Sequence, residues 1–428
     1  MSREASDRGG SPVAGETGRS TAGSVAIVAE RSRSTTAQAR KPPLWLVVLI
    51  TISGTIGMHM FLPALPDAAR DLAAGAGDMQ LTISIYIGGV AIGQLVYGPL
   101  SDAFGRRRVL MAGLGLYVLA SAAAALAPNL AFLLCARLFQ SLGSCAGVAI
   151  GRAIVRDTGK DDGSIRDLAL LNLMATFSPV LAPMVGGLVT AAFGWRANLL
   201  VLGLLGAGTL GLAFWLLPET ARPTGKFQIA SALRDYAELL TSRRIVPFTV
   251  GGGALTTAHF AFLTSAPFII TQDLKQPIQL AGVYSGTVLL GAAAGNGLTG
   301  WLSRRTSSQH LLRGGAALSL LASAALLLMV LTHGLTVAGL LGVVLLFTLG
   351  QGTANPAALG RAMAVRPGVI GSAAALWGGV QMTLGAATTG LAALGSQPAR
   401  AAAIVMLGVT LFAMVCFELG LRSQAAPA

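Results

Sequence analysis

From Pro43 onward the chain is a succession of apolar stretches, each close to the ~20 residues that cross a bilayer as a helix. Twelve are counted, at about 44–65, 80–100, 109–127, 130–152, 167–189, 197–217, 246–270, 280–302, 313–332, 335–358, 368–394 and 399–421. The runs lack strict alternation and are about twice the length of a barrel strand, so they read as helices. The pattern predicts an all-α polytopic membrane protein with twelve transmembrane helices. The longest loop between them, 218–245, is rich in Pro and Arg and splits the chain into 43–217 and 246–421. Six helices on each side predict two six-helix bundles of the kind from which transporters are built. Residues 1–42 hold no apolar run long enough for a signal-peptide core and are expected to form a disordered cytoplasmic tail. Residues 422–428 are expected to be a second, short tail.

Composition narrows the function. Only 11% of the 428 residues are charged, against about 25% in soluble domains. With 54% hydrophobic residues this excludes an ordinary soluble enzyme and a disordered chain. The net charge of +13 sits in short loops between apolar runs, so it reads as the positive-inside signal rather than as a nucleic-acid footprint. Among Lys and Arg of the core, only Arg70, Arg196, Lys275 and Arg400 fall on the outer side, and Arg137 lies within a helix. Both termini are therefore expected in the cytoplasm. Cys135, Cys145 and Cys416 lie inside apolar segments without metal-ligand spacing and are expected to be small core hydrophobes. The four His are unclustered and no phosphate-binding G-x-x-x-x-G-K-[ST] loop occurs. No cofactor or metal is expected, and a polytopic enzyme or receptor is the remote alternative.

The halves echo each other. His59 is followed by Phe61, Leu62 and Pro63 in the first segment; His259 is followed by Phe260, Phe262, Leu263 and Pro267 in the seventh. The loop after segment two reads Gly98-Pro99-Leu100-Ser101-Asp102-Ala103-Phe104-Gly105-Arg106-Arg107-Arg108. Asp102 is suited to face a helix N-terminus or a partner Arg, and Gly98 and Gly105 are expected to permit a tight turn and close approach. This resembles the loop signature of the major facilitator superfamily, with Ala103 where that family usually has Arg. Segment four carries Arg137-Leu138-Phe139-Gln140-Ser141-Leu142-Gly143, similar to the family's R-x-x-q-g-x-g motif, with Gly143, Gly147 and Gly151 forming a packing stripe. Segment five carries Ser178-Pro179-Val180-Leu181-Ala182-Pro183-Met184-Val185-Gly186-Gly187, similar to the family's antiporter motif. Its prolines free backbone carbonyls and bend a helix. Leu62–Pro66, Gly93–Asp102, Arg152–Asp157 and Leu217–Thr220 add a resemblance to the Bcr/CflA type of efflux protein over roughly 44–421.

The resemblance implies an inner-membrane antiporter that exports drugs, metabolites or siderophores in exchange for protons, usually as a monomer, with the Asp102 loop as a gate. Uptake or uncoupled facilitated diffusion is the alternative. One departure stands out: the acidic residue that the subfamily usually carries before M-Y-L-P-A-L-P is His59 here. None of the 17 Asp and Glu falls in mid-membrane. Histidine titrates nearest neutral pH, so His59, His259 and Arg137 are the candidates for proton coupling. Candidate cargo contacts are Tyr86, Gln94, Arg137, Gln140, Asn172, Phe262, Asn296, Gln351, Asn355, Trp377 and Gln381. Cargo is expected to be neutral, zwitterionic or anionic, and Arg137 favours a carboxylate.

Overall fold

The computed structural model describes residues 42–158, 162–221, 223–225, 229–242, 244–277, 281–363 and 370–425; the expected N-terminal tail lies outside them. Among the described residues regular structure is helical. The order is α1 (Leu44–His59), a 3₁₀ turn (Leu62–Ala64), α2 (Leu65–Asp71), α3 (Ala76–Phe104), α4 (Arg106–Ala125), α5 (Leu130–Thr158), α6 (Asp162–Phe193) and α7 (Trp195–Leu216). There follow α8 (Ile229–Thr241), α9 (Val246–Phe268), α10 (Ala281–Leu302), α11 (Ser308–Leu331), α12 (Val337–Met363), α13 (Ile370–Ala393) and α14 (Pro398–Ala425). Nine helical runs among the described residues are long and apolar enough to cross a membrane.

Four local expectations change. The first segment is not one helix: α1 stops at His59, and Pro63 and Pro66, which cannot donate backbone hydrogen bonds, open the 3₁₀ turn and α2. The 218–245 stretch contains a helix, α8, because Tyr236 and Leu239 find a buried partner surface in Leu95, Leu376 and Val380. Helix α14 continues to Ala425, through most of the expected tail. Cys135 is exposed, unlike Cys145 and Cys416, because it lies on the outer side of α5.

Two hairpins turn on glycines with positive φ, Gly105 (98°) between α3 and α4 and Gly194 (80°) between α6 and α7, a conformation that costs an L side chain strain. Inside the first half, α5 is the central post. Gly143 backs directly onto the Tyr117 backbone of α4, Gly147 onto Ile50 and Gly151 onto Thr51 of α1. Small residues let backbones approach where lipid provides no hydrophobic drive. α12 has the same role later, with Gly350 against Gly315 and Ser319 of α11 and Gly352 against Ala292 of α10. Between the halves α3 runs along α13 and α6 along α10, while α9 reaches the 3₁₀ turn and α2. At the end of the molecule opposite Gly105, Asp71 pairs with Arg196 and accepts from Trp195 Nε1 at 3.1 Å, tying α2 to α7. Leu119, Phe193, Trp215 and Leu394 are exposed, as expected of a lipid-facing surface.

Candidate central binding site

Arg137 is fully buried. Its Nη1 donates to the Gly57 carbonyl at 3.1 Å and to Gln140 Oε1 at 2.6 Å. Gln140 Nε2 donates onward to Ser121 Oγ at 2.8 Å, and that hydroxyl donates to the Tyr117 carbonyl at 2.6 Å. The guanidinium carbon lies 4.3 Å from the Tyr86 ring centre and 4.9 Å from that of Phe61, a cation–π arrangement that offsets part of the desolvation. Nε and Nη2 of Arg137 have no hydrogen-bond partner, and neither do the Tyr86 and Tyr117 hydroxyls. Both hydroxyls converge on Gly57: a Cβ there would overlap the Tyr86 hydroxyl and come within 3.2 Å of that of Tyr117. Gly57 is thus the notch in α1 into which α3 and α4 send their tyrosines.

His59 lies one turn further on α1 and is half-buried. Its Nδ1 contacts the Thr55 carbonyl at 3.1 Å. A carbonyl can only accept, so Nδ1 carries the hydrogen and Nε2 is the ring's open position. Thr55 and Ser178 share a 2.5 Å hydroxyl contact that fixes this turn against α6. His259 on α9 is half-buried beside the Phe260 ring, with ring centres 4.8 Å apart; its Nδ1 has no hydrogen-bond partner. Gln351 Nε2 donates to the Thr256 carbonyl at 3.3 Å, and the Thr256 hydroxyl donates to Asn355 Oδ1 at 3.0 Å. The described contacts thus form two polar groups, one in each half, with His59 on the same helix as Gly57 and His259 on the same helix as Thr256.

Tyr86, Arg137 and Gln140 fall in the first group and Gln351 and Asn355 in the second. Other candidates go elsewhere. Gln94 lies against Gly378, Trp377 against Gly252 and Gln381 along Gly253, all in helix seams. Phe262 is in the apolar core of the second half. Asn296 is exposed on α10, because Gly291, Gly295 and Thr299 form the face that meets α12. The Asn172 side chain lies outside the described residues. An open cleft of about 660 Å³ lies away from both groups, between Pro63–Ala76 and Phe268, Thr271 and Gln272.

The loop after α3 forms an ionic knot. Arg106 Nε donates to Asp157 Oδ2 at 2.9 Å, and its Nη2 lies 2.5 Å from Asp102 Oδ1. Glu219, from the chain leaving α7, accepts the Arg106 N–H at 2.8 Å and the Arg107 N–H at 3.3 Å, so a carboxylate caps the N-terminus of α4. Arg107 Nη2 donates to the Phe214 carbonyl at 2.7 Å. The Thr224 and Gly225 N–H groups donate to the Asp102 and Ala103 carbonyls at 3.0 and 3.2 Å. Ala103 is buried, so the arginine of the family pattern has no room here without rearrangement. Gly98 corrects the expectation for it: it lies inside α3 with no atom within 4 Å of a Cβ position, and the turn belongs to Gly105. In segment five, Gly186 lies directly against Met60, while Pro179 and Pro183 are within a continuous helix. Pro183 shares a crevice with Leu62, Phe262 and Tyr284, where α6 meets α9 and α10.

Gly57, Phe61, Tyr117, Thr256 and Glu219 were not singled out by the sequence. Glu219 stood within the quoted Leu217–Thr220 run and Phe61 within the His59 repeat. Gly57 and Tyr117 carried no signal, because only the crossing of α1, α3 and α4 brings them to Arg137.

An all-helical bundle of long apolar helices with a buried polar group in each half is the architecture of a polytopic membrane transporter. Residues 47–390 match the family model described as Major Facilitator Superfamily, and the chain belongs to that superfamily. It is 28% identical over 386 residues to the "Uncharacterized MFS-type transporter YdgK" of Bacillus subtilis, covering 89% of this chain and 96% of that protein. It is 35% identical over 178 residues to "Multidrug resistance protein D" of Escherichia coli strain K12, covering 41% of this chain and 45% of that one. A crystal structure of a bacterial homolog to the human lysosomal transporter Spinster, inward-facing and occupied, superposes with a TM-score of 0.69. It covers 90% of this chain and 98% of its own at 13% identity, which speaks to the fold alone. Fold and relatives are those of transporters and not of enzymes.

Proposed function

We propose that this transporter is a monomeric inner-membrane exporter of small molecules, of the Bcr/CflA kind, with both termini in the cytoplasm. Two six-helix bundles, 43–217 and 246–421, rock about the polar groups at the centre, and the Asp102 knot holds the cytoplasmic face of the first bundle. His59 carries the exchanged proton on Nε2, and His259 senses its charge from the other bundle. The observation that carries this reading is the hydrogen bond from His59 Nδ1 to the Thr55 carbonyl, which leaves Nε2 free for a proton two residues from the Gly57 carbonyl that Arg137 holds. Similarity to relatives named as multidrug resistance proteins supports the direction of transport. The test is efflux into inverted vesicles with and without an imposed pH gradient. Export stimulated by the gradient in the wild type and insensitive to it in His59→Ala is expected; His59→Ala with an unchanged pH response refutes the role of His59. Uncoupled diffusion is the second reading, favoured by the lack of a mid-membrane carboxylate.

A further inference from the structure

The central group of the first half contains donors and no acid. Arg137 is fully buried, and a buried guanidinium without a counter-charge is strongly unfavourable. The sequence supplies no carboxylate at this depth, and the described ion pairs all lie near helix ends, at Asp67, Asp71, Asp102, Asp157 and Glu418. Gly57 and Gln140 occupy Nη1 with neutral acceptors. The unpaired atoms are Nε and Nη2, the two parallel N–H groups that engage a carboxylate or phosphate in bidentate fashion. The Tyr86 and Tyr117 hydroxyls, also unpaired, meet beside Gly57 on the same cluster. Four unsatisfied donors around one fixed positive charge are complementary to an oxyanion. They are a poor match to a cation, which would meet the like charge of Arg137.

We propose that the cargo carries an anionic group, a carboxylate or a similar oxyanion, and that this group binds the Nε/Nη2 edge of Arg137 with the Tyr86 and Tyr117 hydroxyls. The cargo itself supplies the charge that the chain lacks. This rests on the central group being the cargo site of the proposed exporter.

The test uses the purified full chain in detergent and two matched probe sets that differ only in charge: benzoate, benzamide and benzylammonium; hexanoate, hexanamide and hexylammonium. Binding is read by calorimetry and thermal shift, since a ligand of the native state raises stability. The expected result is that an anion of either set binds at least tenfold tighter than its neutral and cationic partners. Arg137→Gln should then weaken the anion about 10- to 100-fold, as expected for charged hydrogen bonds. Tyr117→Phe and Tyr86→Phe keep the rings and should weaken the anion several-fold, more than they weaken the neutral amide, because a hydrogen bond to a charged acceptor is the stronger one; they decide the matter if Arg137→Gln fails to fold. Neutral or cationic probes binding as tightly as the anions, or no probe binding, overturns the proposal. If the anions bind as expected but inverted vesicles export nothing, the anion site stands and the exporter reading falls. If vesicles export neutral or cationic compounds independently of Arg137, the reverse holds.

Discussion

Gly105→Ala isolates the turn on which the ionic knot is built. Gly105 has φ 98° and ψ 143°, a region that only glycine enters freely, and an alanine forced into it costs about 1–3 kcal/mol. The new Cβ would also stand 2.6 Å from Glu219 Oε2 and 3.1 Å from its carboxyl carbon. That pushes away the carboxylate that accepts the N–H groups of Arg106 and Arg107. Charged hydrogen bonds of this kind are worth about 1.5–3 kcal/mol, less here because the Arg107 contact is exposed. The combined loss is expected at about 2–4 kcal/mol. The assay is SDS-titrated unfolding in mixed micelles, run as a double-mutant cycle with Glu219→Ala. In the Glu219→Ala background the alanine at 105 should cost only the backbone part, so the two substitutions should couple by at least about 1 kcal/mol. A Gly105→Ala protein within 0.5 kcal/mol of wild type, or the same cost in both backgrounds, refutes the account of the knot.

Gly57→Ala should displace the Tyr86 ring from Arg137 at a cost of about 1–3 kcal/mol; size-exclusion should show a folded protein and vesicle assays a larger loss of transport than of stability. Arg106→Ala leaves Asp157 half-buried without its cation and Ser101 without its donor, and should cost about 1–3 kcal/mol with faster labelling of a cysteine placed at Asp102. By contrast, Arg313→Gln should leave stability close to that of the wild type, because its bidentate pair with Glu418 is 44% and 32% exposed. The small difference that remains should disappear in high salt.

The order of the helices, the pairing loops and the identity of Arg137, His59 and His259 as the polar exceptions in an apolar core were legible from the chain alone. The reason is the bilayer, which lets only ~20-residue apolar helices cross and makes each charge within them costly. The motif around Asp102 likewise announced a loop with a carboxylate and a basic run. The sequence alone did not say what each group meets. Gly98 and Gly105 look alike in sequence, yet one is unopposed within a helix and the other is a strained turn, because helix continuity is decided by the chain on both sides. Asn296 and Asn355 are both polar residues in apolar runs, yet α10 turns one to the exposed side and α12 turns the other to Thr256. Tyr117 and Gly57 join the site only because α1, α3, α4 and α5 cross there at glycine-close range. Composition and period fix which segments are helices and how deep each residue sits; the rotation of each helix, set by packing against its neighbours, decides which side chains share a site.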